Sequence, residues 1–274
     1  MSSSRLECLE QGRVKVFVPE AQAPSLPVGF DAPGFRPQGE AATAGRGGSV
    51  RLCLADGRGA FYRPYRHGGV LGRLLGAYYR GSGVLEEEMQ AGLRLAAGGL
   101  RVAPVLAGRA EALALGYRLA LLTGECSGPT LLQWLRRAEP SELEPTLRRA
   151  GERIAQMQAL GFRHADLHPD NLIVMEDGDI AVLDLAGGRF GGSYADVAGR
   201  ASLVRAGRYL VKRGVPLPIR GVLAFLRGYA QHGGLAVRQL LLELSADLFA
   251  ALRRRRYGDR ETIEALRAMA QRRP

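Results

Sequence analysis

Lysine is almost absent from this 274-residue chain: Lys15 and Lys212 are the only two, and arginine carries nearly all the positive charge. Cysteine is scarce as well. Cys8, Cys53 and Cys126 lie far apart, form no CxxC pair and make an odd count. Neither a disulfide scaffold nor a zinc site is expected from them, and a reducing cytosolic compartment fits better. No stretch reaches the roughly 20 uncharged apolar residues that a membrane-spanning helix needs. The longest candidate, 116–123, is interrupted by Arg118 and has the length of a strand. Residues 1–10 lack a basic segment followed by an apolar run, so no secretory signal is expected. Membrane contact, if any, is expected to be peripheral.

What is present describes a globular protein. The chain is 46% hydrophobic and 24% charged, enough for a substantial core in one large domain or two small ones. The charge is lopsided: 38 Lys+Arg face 27 Asp+Glu, a net +11. Such a surplus predicts an anionic partner, whether nucleic acid, phosphorylated glycan, acidic lipid or nucleotide. Charge alone does not choose among them, and codon bias explains arginine over lysine equally well.

The pattern changes character near residue 127. Before it, short β-type runs are split by glycine-rich turns. Val14–Val18 reads as a strand, and 19–44, with its prolines and glycines, as a loose connection. Ser49–Leu54 and Ala60–Tyr65 flank Ala55-Asp-Gly-Arg-Gly, a hairpin signature because Asp-Gly tolerates the positive φ of tight turns. Val70–Tyr79 and Val84–Ala97 read as helices, Val102–Ala107 and Tyr117–Thr123 as strands. After residue 127 the spacing is helical over Thr130–Arg137 and Ser141–Leu160, with Ser141-Glu-Leu-Glu resembling a capping box. Two short strands, Leu172–Met175 and Ile180–Leu183, enclose the turn Glu176-Asp-Gly-Asp, and the chain is helical from about Tyr194 onward. The expected organisation is an N-terminal strand and connection over 1–44, a β-rich lobe over 45–125 and a helical lobe over 126–274.

The segment richest in chemistry is His164-Ala-Asp166-Leu-His168-Pro-Asp170-Asn171-Leu-Ile-Val, followed by Asp184 directly after the apolar run Ile180–Leu183. An Asp and an Asn five residues apart between a helix and a strand, then a later Asp, resemble the catalytic machinery of the protein-kinase-like fold. There the first Asp handles the acceptor hydroxyl, and the Asn and second Asp hold metal. Transfer of a γ-phosphoryl group needs that hydroxyl in line and cations on the triphosphate. Asp166 suits the first task; Asn171 and Asp184 offer hard oxygens suited to Mg²⁺. Two blander readings stand beside it. Asp166 and Asp170 are also turn and cap formers, and His164, Asp166 and His168 could hold a transition metal, although Pro169 disfavours a shared helix face for the histidines.

The N-terminal half offers matching parts. Gly45-Arg-Gly47-Gly48-Ser-Val precedes the hairpin and could cover phosphates with backbone N–H groups. A strand lysine pairing with a helix glutamate is ruled out, because Lys15 precedes that loop and Lys212 follows the catalytic segment. Arg63, on the strand 60–65, is the candidate cation, with Glu88 as its partner. Arginine keeps its charge and grips carboxylate or phosphate with a fork of donors.

That substitution narrows the resemblance. Tyr62-Arg63-Pro-Tyr-Arg66-His-Gly68-Gly69 is similar to the arginine-bearing strand of the bacterial lipopolysaccharide kinases, which act on 3-deoxy-D-manno-octulosonic acid (Kdo) or core heptose. Glu88, Gly99-Leu-Arg-Val-Ala-Pro104 and His164–Asn171 resemble further family segments, and Leu121-Leu-Thr123-Gly-Glu-Cys-Ser-Gly resembles the family's hinge, whose backbone meets adenine near Glu125 and Cys126. The likeness runs from about residue 45 to 213. It implies an α+β, bilobal protein-kinase-like fold and ATP-dependent, Mg²⁺-supported phosphorylation of a sugar in the lipid A–inner core region. It also implies work at the cytoplasmic face of the inner membrane, on Kdo-lipid A or a related precursor, beside an anionic membrane surface and without nucleic acid. Arg66, Arg73 and the run 253–256 could face those anions, or could simply be solvated. One departure stands out: Ala186 occupies the place of the second acid that the family carries two residues after its metal Asp. Another acceptor, or a pseudokinase that only binds nucleotide, are the competing expectations.

Overall fold

Alternating valines at 14, 16 and 18 build the expected strand, which is the second of a hairpin: β1 (Leu6–Gln11) pairs antiparallel with β2 (Val14–Pro19) around Gly12. The computed structural model describes residues 5–20, 25–41, 48–67, 76–215 and 217–255. Within them the chain is mixed α/β and divides into two compact units. One gathers residues 1–97 and 103–125, the other residues 98–102 and 126–274.

Among the described residues the first unit is an antiparallel sheet with one long helix. Its remaining strands are β3 (Glu40–Ala41), β4 (Val50–Cys53), β5 (Gly59–Pro64), β6 (Tyr78–Tyr79), β7 (Val105–Leu113) and β8 (Gly116–Gly124). They run in the order β1-β2-β7-β8-β5-β4-β3, with β6 added to β8. The expected β4–β5 hairpin is present, with Gly57 at φ 81° in its turn.

Period-2 alternation sends the strand side chains to two faces. Val14, Val16, Leu52, Ala60, Tyr62 and Leu122 share one, together with Phe30. Phe17, Tyr65, Leu119 and Leu121 share the other, against Leu85 and Met89 of α1 (Gly83–Ala97). Leu85, Met89 and Leu95 are 0% exposed. Removing each of these side chains from water is worth roughly 1.5–3 kcal/mol, so α1 is held by its apolar stripe rather than by helix propensity.

Two expectations for this unit need correction. The connection over 19–44 is not loose where it is described. Phe30 is 1% exposed in the core, and its backbone is pinned by a buried guanidinium: Arg109 donates to the carbonyls of Phe30 (2.8 Å) and Ala32 (2.7 Å) and pairs with Glu111 (3.1 Å). Glu111 also accepts the Gly34 N–H at 2.9 Å. A proline- and glycine-rich composition reports missing regular structure, not missing contacts. The helix expected over 70–79 does not continue to its end, because Tyr78 and Tyr79 are a strand on β8; residues 70–75 lie outside the described ones.

The second unit is mainly helical: α2 (Leu131–Leu135), α3 (Pro140–Ala159), α4 (Val197–Lys212), α5 (Ile219–Gln231) and α6 (Val237–Arg255). Between α3 and α4 lie the short strands β9 (Phe162–Arg163), β10 (Leu172–Val174), β11 (Ile180–Val182) and β12 (Arg189–Phe190). The capping box sits elsewhere than expected. Thr130 and Gln133 exchange the reciprocal bonds at α2, whereas α3 begins at Pro140 after Glu139 without a side-chain cap. Proline at the first helical position, where an unbonded N–H costs nothing, starts α3 two residues before any box from Ser141 could form. Helices α3 and α5 pack backbone to backbone: a Cβ on Gly151 would meet the carbonyl oxygen of Phe225, and one on Gly228 that of Arg148.

Candidate active site

Two small antiparallel pairings gather the chemistry-bearing loops of the helical unit. The β10–β11 register opposes Leu172 to Val182, so Asn171 and Leu183, one residue further out, meet at the same end. The Leu183 N–H donates to the Asn171 carbonyl at 2.9 Å. The β9–β12 register opposes Arg163 to Arg189 and thereby brings the starts of 164–171 and the end of 183–188 together. A spacing that looks long in sequence is short in space, because a hairpin folds it back.

His164 ties the two loops. Its Nε2 lies 2.9 Å from the Leu183 carbonyl, and its Nδ1 accepts the Asp166 N–H at 3.1 Å. Burial pushes the His164 pKa down, against the opposing pull of the Leu183 carbonyl and the Asp184 and Asp166 charges. The ring is therefore neutral, with Nε2–H donating and Nδ1 accepting. Both nitrogens are thereby spent. His164 has no lone pair for a transition metal, and no cluster of three His, Cys, Asp or Glu able to hold a metal occurs among the described residues.

Asn171 closes the loop onto itself. Its Nδ2 donates to the Asp166 carbonyl at 2.9 Å and lies 3.3 Å from His168 Nε2. With the amide nitrogen committed, the side-chain oxygen is the atom Asn171 has to offer. Asp166 keeps its carboxylate 54% exposed, 3.5 Å from His168 Nε2. Asp184 has a φ of 53°, the left-handed region that costs a non-glycine residue about 1–2 kcal/mol. Such strain persists where surrounding contacts over-determine it, and it clusters at functional sites. An amide oxygen and two carboxylates are hard donors, and their chemistry fits Mg²⁺ rather than a thiophilic or imidazole-seeking metal.

A second ring of contacts supports the loop. Asp170 accepts from Thr130 Oγ1 at 3.0 Å and from Tyr209 Oη at 2.6 Å. It is the structural aspartate of the segment. The Tyr209 ring stacks on His168, centroids 4.4 Å apart and 12° from parallel, and Arg205 donates to the Ala165 carbonyl. Arg205 and Tyr209 carried no sequence signal, and the Thr130 pattern signals only a helix cap, since these contacts span 39 or 40 residues.

In the sheet unit, β5 points Arg63 to the face that α1 covers, and Arg63 forms an ion pair with Glu88. Tyr65, two residues on and so on the same face, donates to the same carboxylate, which is only 4% exposed. The strand period could have revealed Tyr65. Arg63 also lies over the Tyr65 ring at 5.2 Å. Glu125 is engaged twice: both carboxylate oxygens accept from Arg51 at 2.8 Å, and its N–H donates to the Gly59 carbonyl. Arg51 holds the Glu125 carboxyl below its usual range. The backbone donor is thus spent within the sheet, and the carbonyl remains. Cys126 is a half-buried thiol in the helical unit. Gly48 has a φ of 78°, which needs glycine, while Gly45 and Gly47 lie outside the described residues, as do Arg73 and the side chains of 253–256.

The family described as lipopolysaccharide kinase (Kdo/WaaP) matches residues 38–229, well over half of the chain. No curated protein matches.

Proposed function

The chain belongs to the lipopolysaccharide kinase (Kdo/WaaP) family, and from that premise we propose that it transfers the γ-phosphoryl group of ATP to a Kdo hydroxyl of the lipid A–inner core. The observation that carries this reading is the convergence of Asp166, Asn171 and Asp184 by the β10–β11 register and the His164 tie. In this reading the exposed Asp166 carboxylate orients the acceptor hydroxyl and takes up its proton as the oxygen attacks. The Asn171 amide oxygen and the Asp184 carboxylate would hold Mg²⁺, which would neutralise charge on the triphosphate. Arg63, kept in place by Glu88 and Tyr65, presents its guanidinium fork to phosphate oxygens. Gly45, Gly47 and Gly48 supply backbone donors to the same group, and the backbone around Glu125 and Cys126 receives adenine.

The plan is that of a protein-kinase-like fold, the sheet unit serving the nucleotide and the helical unit the chemistry. The net +11 fits an acceptor rich in phosphate and carboxylate, presented at the anionic cytoplasmic face of the inner membrane. No helix among the described residues is long and apolar enough to cross a membrane, which agrees with peripheral attachment.

The test is purified protein with Mg-ATP and Kdo-lipid A, the product followed by mass spectrometry. A mass gain of one phosphate on the sugar is expected. Asp166→Ala should abolish the gain while ATP still binds, because it removes proton handling and not nucleotide contacts. ATP turnover without phosphorylated lipid would move the protein to another acceptor, and nucleotide binding without any turnover would make it a pseudokinase.

A further inference from the structure

Helix α4 packs against the catalytic loop; Arg205 on it and Arg213, its C-cap residue, are both exposed. Arg205 donates to the carbonyl of Ala165, the residue before Asp166. Arg213 donates to Tyr209 Oη at 2.7 Å and lies over that ring at 4.9 Å; the same Tyr209 bonds Asp170 and stacks on His168. Both guanidiniums are thus aimed by neutral groups. No ion pair compensates either of them among the described residues, although Arg163 and Arg200, on the same helical unit, are paired with Asp196 and Glu243. Each has five N–H donors and spends one on its anchor.

An acceptor bearing carboxylate or phosphate must approach Asp166, whose own exposed carboxylate repels it. Fixed cations beside the loop offset that repulsion, and a planar guanidinium fits either oxyanion with two parallel hydrogen bonds. Arg205 lies within α4 and Arg213 is its C-cap residue, eight positions on, so the two backbones are about 12 Å apart along the axis and each side chain has its own anchor. We infer that Arg205 and Arg213 form an oxyanion-binding subsite for the acceptor, each taking a separate carboxylate or phosphate group of one sugar substrate. The inference rests on the kinase reading for the identity of that acceptor.

The experiment compares wild type, Arg205→Gln and Arg213→Gln with three acceptors: Kdo-lipid A, its carboxylate methyl ester, and the form stripped of lipid A phosphates. Loss of a charge-assisted pair should raise the acceptor KM about tenfold, with kcat and the ATP KM unchanged. Removing the oxyanion that an arginine reads should cost wild type the same factor and cost that variant nothing more. The methyl ester arm identifies a carboxylate, the dephosphorylated arm a phosphate. Arg205→Lys, which keeps the charge without the planar fork, should recover only part of the loss. Unchanged KM in both variants overturns the inference and leaves the kinase reading standing. So does a fall in kcat at constant KM, the signature of a merely structural anchor. Should wild type phosphorylate nothing, calorimetric binding of Kdo-lipid A without nucleotide still decides: tenfold tighter binding than Arg205→Gln upholds the subsite, and equal binding removes it.

Discussion

Replacing Arg63 separates a structural ion pair from a phosphate-binding cation. Arg63→Met keeps the aliphatic length of the side chain and takes the cation away from Glu88, whose side chain is 4% exposed while that of Arg63 is 27% exposed. Stripping one partner from a buried pair costs 3–5 kcal/mol in general. Tyr65 continues to donate to Glu88, so the lower end applies, about 3 kcal/mol. For a protein of this size that shifts Tm by roughly 10 °C. Adding Glu88→Gln removes the buried charge but leaves an amide oxygen for Tyr65, and most of the lost stability should return. Nucleotide affinity should not return, because the fork of donors is still missing. The assays are thermal unfolding and ATP binding by calorimetry on wild type, Arg63→Met and the double variant. Restored ATP binding in the double variant would refute the phosphate role of Arg63. An unchanged Tm in the single variant would show that the pair is not the buried contact described.

The remaining predictions concern the helical unit. Gly151→Ala drives a methyl group into the Phe225 carbonyl and the Tyr229 backbone nitrogen, so α3 and α5 must separate. A loss of about 1–3 kcal/mol is expected in denaturant titration, and no loss would mean that the helices do not meet there. The buried, neutral His164 makes stability depend on pH. Its folded pKa lies below its unfolded value of about 6.5, so the unfolded chain takes up the proton first. Its contribution is whole above about pH 6.5 and declines below it, by at most about 1.4 kcal/mol per pH unit. Between pH 7.5 and 5.5 the wild type should lose more stability than His164→Gln, by at most about 1.4 kcal/mol. Equal losses would show that the His164 pKa is the same in the folded and the unfolded chain.

Local rules made much of this protein legible without coordinates. The Asp-Gly turn, the valine alternation at 14–18 and the apolar spacing of 84–97 each describe interactions within a few residues, and each element forms where those patterns lie. The absence of lysine pointed to Arg63, and the order Asp166, Asn171, Asp184 pointed to their loops, because a hairpin between two short apolar strands returns the chain to its start. What tertiary structure alone decided is where side chains from distant segments are used. Nothing in the composition of 19–44 tells that Arg109, far along the chain, seats Phe30 in the core. No period marks Tyr209 as the residue that clamps Asp170 and His168, or Arg205 as the donor to Ala165. Capping shows the same limit at close range: Ser141 and Thr130 both present the pattern, and the box forms at Thr130, where the adjoining backbone also bridges to Ile173. Sequence writes the short-range terms, whereas the choice among equally good local options is made by burial and hydrogen bonding across the fold.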